Sequence, residues 1–438
     1  MALELGTFPV TDVVLAETTA YRDGVLTIDA AELRARLLSD PHFLEVNVDV
    51  VKPGDSARVH NIIDVVEPRI RVSEPGTDFP GLLAPQLTVG AGRTHRLQGV
   101  AVCELSESVP GEPVYWRQAL FDAGGPGAAY SPFGALINVV LTFTANPAQF
   151  TTRTDSDAYD VFSGTPEAVA YNDAVRKAGL STAVYLAATV AAQEPRELTT
   201  LDTSVVDHRP DLPRVVYYYQ GGPHVYGARV RSWSGAQQGS LPNLIHPNEV
   251  LDGAVVNAWP FAACFRDVTY LIQNHPVIEE LYAQHGSSID FIGVVIYDGA
   301  DDTAGKERIT TWGAKMASLI QADAAVLTYL GGGHLIVDVM MTLEKLERQG
   351  VKTVLILPEM AADPRESGFI DFVPEAQAIV STGNYEAPID LPAVSRVLGG
   401  DSLLETGVDA AGPLTVTLRS LLASTDPYGS AALRAVEW

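Results

Sequence analysis

Hydrophobic and polar positions follow different patterns in the two halves of the chain. Through residues 1–150, short apolar runs alternate with polar residues and stop at Gly or Pro, which is typical of β-strands. One interruption, AAELRARLLSD (residues 30–40), has the spacing of a helix. From residue 287 onward, apolar runs such as IDFIGVVIYD alternate with helical stretches. This alternation predicts a doubly wound, mostly parallel sheet.

The pattern predicts an α/β chain with three regions. They are a β-rich domain, a mixed α/β region and a doubly wound α/β domain, over residues 1–150, 151–286 and 287–438. In the middle region, residues 165–193 have a helical pattern that Gly179 is expected to divide. An apolar β-run ends at Gln220, and a long Gly/Ser-rich loop over 221–242 follows it. The tail from residue 400 is expected to add one strand and no chemistry.

The predicted parallel sheet also predicts where a ligand would lie. In such sheets, ligands bind beyond the carboxyl ends of the strands. The loops that begin at Tyr297-Asp298, Gly331 and Ser381 follow predicted strands and would line that edge. We therefore expect the polar groups of these loops to lie near a binding site.

Composition narrows the class of function. The 438 residues are 47% hydrophobic and 19% charged, with a formal net charge of −25. Binding to nucleic acid or to an anionic membrane surface is disfavoured, because both require Lys and Arg facing phosphates. The acidity favours either plain solubility or a basic partner protein. With no signal-peptide pattern and no apolar run of about 18–20 residues, a cytoplasmic location is expected.

The residues that could carry chemistry concentrate between Leu244 and Gly286. Cys264 lies here and is one of only two cysteines, too few for a disulfide framework or a cysteine zinc site. Its apolar neighbours suit a small buried hydrophobe, whereas the nearby Arg266 could favour a reactive thiolate. Other candidate groups in the stretch are His246, Asp252, Asn257 and His285.

Histidines and glycines leave further alternatives open. His246, before Pro, and His285, before Gly, lie at element ends and are either structural or acid–base groups. With Asp252 they could surround a metal ion, but no close ligand spacing is present and no metal is predicted. The Gly-flanked segment Arg93–His95 suits an ordinary hairpin or a turn that binds an anion. No dinucleotide fingerprint and no phosphate loop is found.

Several segments resemble one family of reductase subunits. They are HPNEVLDGAVV, the C-x4-T-Y pattern from Cys264 to Tyr270, QNHPVIEELYAQHG, IDFIGVVI, DVVEPRIRV, VGAGRTHRLQG, GGPGAAYSPF, GKERITTW and TGN. On these residues the chain resembles the α/β-subunit proprotein of component B of glycine, sarcosine and betaine reductases, which is related to the D-proline reductase proprotein. The resemblance runs from about Leu3 to beyond residue 385.

The resemblance implies an oxidoreductase subunit that cleaves a C–N bond of a small amino-acid-like or amine substrate. In that family the proprotein cleaves itself beside a cysteine of this stretch, and the new N-terminus becomes a pyruvoyl group. The implied partner is a component B subunit that carries a reactive thiol or selenol. The expected catalytic residues are Cys264, His246 and His285, and the expected substrate-binding residues are Arg93, His95, Asp252 and Asn257.

The chain departs from the family pattern at one position. The family has two cysteines in this stretch, at the positions held here by Pro260 and Cys264. Processing at Cys264 would break the Ala263–Cys264 bond and yield the pyruvoyl group. Without processing, the chain would be an uncleaved paralogue. It would then serve as a scaffold or substrate-binding subunit, or use Cys264 directly as a nucleophile.

Overall fold

The structure is a computed structural model of the chain. It describes residues 2–73, 77–112, 119–150, 164–204, 209–221, 224–229, 241–257, 263–300, 302–330, 333–361, 372–404, 406–430 and 434–435. Most of the Gly/Ser-rich loop, the glycines at 331–332 and the Pro260 position lie outside the described residues.

The described residues form 26 strands and seven α-helices. The strands before the central stretch are β1 (Ala2–Pro9), β2 (Asp12–Ala16), β3 (Ala20–Arg22), β4 (Val25–Asp29), β5 (Phe43–Val51), β6 (Ala57–His60), β7 (Ile62–Val66), β8 (Arg69–Arg71), β9 (Gly92–Gln98), β10 (Val100–Ser106), β11 (Leu120–Asp122), β12 (Ile137–Ala145), β13 (Glu197–Asp202), β14 (Arg214–Gln220), β15 (His224–Val225) and β16 (Ala228–Arg229). The later strands are β17 (Asn243–Ile245), β18 (Val255–Val256), β19 (Asp290–Tyr297), β20 (Ala324–Thr328), β21 (Lys352–Glu359), β22 (Ile379–Asn384), β23 (Pro388–Leu391), β24 (Arg396–Leu398), β25 (Leu414–Thr417) and β26 (Arg434–Ala435). The α-helices are α1 (Ala30–Leu37), α2 (Pro166–Ala187), α3 (Pro247–Glu249), α4 (Thr269–Gln273), α5 (Pro276–Gln284), α6 (Thr303–Leu319) and α7 (Leu335–Arg348).

Small sheets form the N-terminal half, as the alternating pattern predicts. One sheet has the strand order β13–β1–β9–β8 and another the order β5–β12–β10–β7. Helix α2 packs on β7 and β10, and its Tyr171 and Val175 join a core that contains Val102 and Val139. The β-rich prediction for this part of the chain is confirmed.

A single mostly parallel sheet organises the C-terminal half. Its order is β17–β19–β14–β20–β21–β22–β26, in which the inner pairs are parallel and the two outer pairs antiparallel. Strand β14 lies inside this sheet, between β19 and β20, although it precedes the central stretch in sequence.

Helices cover both faces of the parallel sheet. On one face, α6 and α7 pack over Val216 and Tyr218 of β14. On the other face, Leu271 of α4 and Ile278 of α5 share a core with the alternate residues of the same strand, including Tyr217. Successive side chains of a strand point to opposite faces, so both core layers use β14. This confirms the prediction of a doubly wound sheet.

Glycine 179 does not divide the helix that contains it. Helix α2 runs unbroken for 22 residues, and the side chain of Thr165 caps its N-terminus. A Cβ atom on Gly179 would lie 1.5 Å from Oε1 of Glu104 in β10. The glycine therefore permits close helix–sheet packing, which has a stronger effect here than its low helix propensity.

Segment Arg93–His95 also differs from expectation. It is neither a hairpin turn nor an anion-binding loop but lies within β9, which pairs with β1 on one side and β8 on the other. Across the described residues, no helix is both long and apolar enough to cross a membrane.

Candidate active site

Two tyrosines at the carboxyl end of β14 form the floor of the candidate site. Because side chains alternate along the strand, Tyr217 and Tyr219 point to the same face. Their rings are stacked, with centroids 5.9 Å apart and planes 8° apart. Both are fully buried. They lie at the edge of the sheet where ligands of doubly wound proteins bind.

A buried carboxyl group contacts this floor. The hydroxyl of Tyr219 donates a hydrogen bond to Oδ2 of Asp267, and the hydroxyl of Tyr428 donates to that of Tyr219 at 2.8 Å. Burial raises the pKa of Asp267 to about 7, although hydrogen bonds from both tyrosines counteract part of the rise. Asp267 can therefore bind or release a proton near neutral pH.

His275 completes the aromatic cluster. It lies at the start of α5, and its Nε2 is 3.2 Å from the hydroxyl of Tyr217, which in turn is 2.6 Å from Oγ1 of Thr328. The ring of Tyr428 is centred 4.2 Å from the imidazole. Burial lowers the pKa of His275 to about 3, so the ring is neutral at physiological pH.

Cys264 lies in a short 3-10 turn, Ala263–Phe265, three residues before Asp267. Its side chain is fully buried and packs with Tyr385 and Met360. Thus the thiol shares an apolar pocket with residues that follow β21 and β22.

The backbone on both sides of Cys264 is fixed by a segment near the C-terminus. The carbonyl of Ala263 accepts hydrogen bonds from the N–H groups of Ala423, at 2.9 Å, and Arg266, at 3.3 Å. The N–H of Thr425 donates to the carbonyl of Cys264 at 2.9 Å. Two N–H donors on one carbonyl oxygen are the arrangement that stabilises a developing oxyanion. The carbonyl that precedes Cys264 is therefore held by two donors, of which the N–H of Arg266 makes the ordinary i to i+3 hydrogen bond of the 3-10 turn.

The two predicted catalytic histidines both make local structural contacts. His246 caps α3: its Nδ1 accepts from the N–H of Asn248 at 3.1 Å, and its Nε2 donates to the carbonyl of Thr203 at 2.9 Å. His285 accepts from the N–H of Phe291 through Nδ1 at 3.0 Å. Burial lowers the pKa of both rings. With these contacts, each histidine orders the backbone at an element end.

Among the predicted substrate-binding residues, Asp252 lies in a buried polar cluster. Its carboxylate accepts from Arg71 at 2.6 Å, from the N–H of Gly90 at 2.7 Å and from the hydroxyl of Thr94 at 2.6 Å. Asp78 lies beside it, and burial raises the pKa of Asp78 to about 6. These contacts of Asp252 join the N-terminal sheets to the central stretch.

The remaining predicted residues lie in three different environments. Arg93 pairs with Glu4, Nη2 to Oε2 at 2.8 Å, and is partly exposed. His95 is buried, with Nδ1 3.0 Å from the carbonyl of Val190. Asn257 is buried, and its N–H donates to Oγ1 of Thr269 at 3.0 Å. The role of these residues in substrate binding stays a prediction.

A second polar cluster lies on the α6–α7 face of the sheet. Nζ of Lys306 contacts Oδ2 of Asp338, Nδ1 of His334 at 2.9 Å and the carbonyl of His334 at 3.2 Å. Three acceptors use the full donor capacity of a lysine. This cluster therefore connects the first turns of the two helices. Among the residues described, no group of three His, Cys, Asp or Glu side chains is arranged to hold a metal ion.

The sequence did not identify the groups contributed by β14 and by the tail. Tyr219 and Tyr217 belong to a run of three tyrosines before Gln220, which reads only as an apolar strand. Thr425 and Tyr428 lie in the tail, where no chemistry was expected, and both contact residues of the candidate site. Asp267 stands inside the C-x4-T-Y pattern, which was the one available signal.

Comparison with known proteins gives a consistent result along the chain. Residues 1–420 match the family described as glycine/sarcosine/betaine reductase component B subunits. The chain is 31% identical to glycine reductase complex component B subunits alpha and beta of Peptoclostridium acidaminophilum, over 99% of both chains. It is 32% identical to the Acetoanaerobium sticklandii protein of the same name and 31% identical to betaine reductase complex component B subunit alpha of P. acidaminophilum, each over 98% of both chains. No solved structure matches significantly.

Proposed function

Since the chain belongs to the family of glycine/sarcosine/betaine reductase component B subunits, we propose that it binds a small amino-acid-like or amine substrate and takes part in reductive cleavage of its C–N bond. The electrons come from a partner subunit that carries a reactive thiol or selenol. We propose further that the chain processes itself at the Ala263–Cys264 bond to form a pyruvoyl group.

The pair of N–H donors on the Ala263 carbonyl carries this proposal. When the thiol sulfur of Cys264 attacks that carbonyl carbon, negative charge develops on the oxygen that Ala423 and Arg266 already contact. Preorganised donors of this kind lower a barrier by about 2.7–4 kcal/mol each in enzymes. Cys103 lies in a regular β-ladder instead, so the arrangement is particular to Cys264.

The bonds of the processing step balance without an added oxidant or reductant. A C–S bond forms to the Ala263 carbonyl carbon, the C–N bond to Cys264 breaks, and the nitrogen takes up a proton. Elimination then removes the Cα proton and breaks the Cβ–S bond, which leaves a dehydroalanine at position 264 and a thioacid on Ala263. The dehydroalanine tautomerises to an imine. Water hydrolyses this imine to a ketone and releases its nitrogen as ammonia. Hydrolysis of the thioacid left on Ala263 gives a carboxylate and hydrogen sulfide. The products are residues 1–263 and residues 264–438 with a ketone at the new N-terminus.

Residues around Cys264 suit this chemistry and its product. Asp267 lies three residues after Cys264 and has a pKa of about 7, so we assign it as the donor of the proton to the leaving nitrogen, with Tyr219 hydrogen-bonded to its carboxyl group. The apolar contacts of Tyr385 exclude water from the thiol. A pyruvoyl group, once formed, supplies a carbonyl that condenses with a substrate amine and withdraws electrons from it.

Intact-mass spectrometry of the purified chain tests the proposal. Wild-type protein is expected to give two fragments that meet between Ala263 and Cys264, with the second blocked against N-terminal sequencing. Cys264→Ala is expected to give one uncleaved species and no reductase activity in the reconstituted complex. Cys103→Ala, the matched control, is expected to process normally. A single full-length species in the wild type would exclude processing.

An uncleaved subunit is the second candidate, and two observations favour it. Pro260 stands where the resemblance implies a cysteine, and the side chain of Cys264 is fully buried. Such a subunit would serve as a scaffold or bind substrate for the partner, or would use Cys264 directly. Alkylation by iodoacetamide faster than that of a free thiol indicates direct use of Cys264. Full activity of Cys264→Ala in the reconstituted complex indicates the scaffold.

A further inference from the structure

The outer face of helix α6 carries two large apolar side chains. The helix packs on the sheet through the opposite face, on which Ile309, Ala314 and Ala317 are buried. A helix at the surface of a globular protein ordinarily has polar residues on the side away from the core. On that side of α6, Trp312 is 39% exposed and Leu319 is 70% exposed. The outer face of α6 therefore departs from the usual pattern.

The exposed positions of α6 form a line. Arg308, Trp312, Lys315 and Leu319 follow one another at i, i+4, i+7 and i+11. Residues with this spacing lie along one side of an α-helix, and the same alternation of four- and three-residue steps forms the seam between two packed helices. At a rise of about 1.5 Å per residue, the line is about 16 Å long. We call these four residues the α6 stripe.

The α6 stripe is positively charged, unlike the chain as a whole. Lys315 is exposed and Arg308 is partly exposed. Glu307 is the single acidic residue of α6, and its Oε1 pairs with Nζ of Lys345 in α7 at 2.9 Å. Nζ of Lys315 lies 4.4 Å from the centre of the Trp312 ring, so a cation and an aromatic face are presented together. Because the chain has a formal net charge of −25, the stripe favours an acidic partner.

We propose that the α6 stripe docks an amphipathic helix of a partner protein. The apolar line of that helix packs on Trp312 and Leu319, and its acidic side chains pair with Arg308 and Lys315. Trp and Arg are the residues that most often dominate the binding energy of protein interfaces. A second copy bound through the same stripe is disfavoured, because it would bring the cations of both copies together. The docking is independent of the processing at Cys264.

Titration of the full chain with a labelled synthetic helix tests the proposal. The peptide has about 20 residues, since shorter isolated helices are marginal in water. It has Leu at the spacing of the stripe and Glu beside that line. Fluorescence anisotropy is expected to show saturable binding with a dissociation constant of about 0.1 mM or tighter, weakened by added salt. A peptide with Lys in place of Glu is expected to bind at least about tenfold more weakly.

Three variants locate the binding. Trp312→Ala is expected to weaken binding of the Glu peptide at least about tenfold. Lys315→Glu is expected to weaken binding of the Glu peptide and to strengthen that of the Lys peptide. Leu44→Ala, at a site in β5 that is 61% exposed, is the control and is expected to change neither.

The wild-type titrations decide the proposal even if a variant does not fold. Absence of saturation, or equal binding of the Glu and Lys peptides, would overturn it. Analytical ultracentrifugation tests the other occupant of the stripe. A dimer of the wild type that Trp312→Ala abolishes and Leu44→Ala retains would assign the stripe to a second copy of the chain and would also overturn the proposal.

Discussion

Cys103 and Cys264 are equally buried, but their backbones are held in different ways. Cys103 lies in β10, paired with β7 on one side and β12 on the other. Cys264 lies in a short turn, and the carbonyl before it accepts hydrogen bonds from Arg266 and Ala423. Burial, then the charges of Glu104 and Asp64, raise the pKa of the Cys103 thiol well above its ordinary value.

The difference shows that the two cysteines of this chain are alike in burial and differ in the hydrogen bonding of the backbone around them. In a β-ladder, a carbonyl that becomes tetrahedral must leave its hydrogen-bond geometry. In the turn at Cys264, two N–H donors already contact the oxygen on which charge would develop if the thiol attacked that carbonyl. Substitutions of Asp267, of Arg58, which holds the C-terminal segment, and of Ala423, which donates to the carbonyl of Ala263, each test this contrast.

The largest effect is expected from Asp267→Asn. The variant keeps the shape of the side chain and removes the proton donor, so self-processing is expected to slow by about 10²–10⁴-fold. In the wild type, the rate is expected to fall above pH 7, because the donor is protonated only below its pKa of about 7. Fragment formation followed by mass spectrometry over time measures both.

Asp78→Asn is the matched control for Asp267→Asn. Burial also raises the pKa of Asp78, but this carboxyl belongs to the cluster around Arg71 and Asp252. Processing at the wild-type rate is expected. Equal slowing in the two variants would mean that the effect reports general destabilisation and not proton transfer at Cys264.

Arg58→Ala is expected to have the next largest effect. Arg58 and Asp122 form a fully buried ion pair, Nε to Oδ1 at 2.7 Å, and the guanidinium also donates to the carbonyls of Ala410 and Gly412. Loss of one partner of such a pair costs about 3–5 kcal/mol of unfolding free energy. The exposed pair of Arg396 and Asp49 is the control, and Arg396→Ala is expected to cost under about 1 kcal/mol.

Hydrogen exchange in Arg58→Ala compares how the loss of stability affects the backbone amides near Cys264 and that of Cys103. Arg58 holds residues 410–412, which precede the segment that clamps Cys264. In Arg58→Ala, the amides of Ala423 and Thr425 are expected to exchange faster, whereas that of Cys103 keeps its protection. Uniform loss of protection would remove the distinction between the two regions.

A smaller, pH-dependent effect is expected from His275. An unfolded His275 takes up a proton below about pH 6.5, but the folded chain excludes that proton until about pH 3. Its contribution to stability is therefore complete above pH 6.5 and is lost as the pH falls toward 3. In His275→Phe, urea unfolding between pH 7 and pH 5 is expected to depend less on pH than in the wild type. His42→Gln, in the Asp40–His42 turn, is the control.

The smallest effect is expected from Ala423→Gly. Ala423 has a φ of 58°, which disfavours a residue with a Cβ. Glycine relieves this strain and keeps the N–H donor, so stability is expected to rise by up to about 1 kcal/mol with processing unchanged. In Ala31→Gly, within α1, stability is expected to fall by about 0.5–1 kcal/mol. Thermal unfolding of both variants checks the opposite signs.

Local pattern was sufficient for the fold class because parallel strands and helices have distinct periods. The run that ends at Gln220 and the helix over 335–348 are examples, and the carboxyl edge of the sheet followed from them. The candidate site depends instead on contacts between distant residues. Tyr219 and Tyr428 are hydrogen-bonded although they are 209 residues apart in sequence, and the periodicity of a segment does not predict such a contact. Local pattern also could not explain Gly179, because the side chain that requires a glycine there, Glu104, belongs to a different element.

The position of β14 has a consequence for the products of processing. The strand belongs to the part of the chain before Ala263, yet it lies between β19 and β20, which belong to the part after it. The two fragments would therefore share one sheet, with a strand of the first enclosed by strands of the second. The two fragments would therefore remain associated, because neither can complete the core of the shared sheet alone. If the chain is processed, separate expression of residues 1–263 and 264–438 is then expected to yield two incomplete folds, since neither part holds all the strands of the sheet.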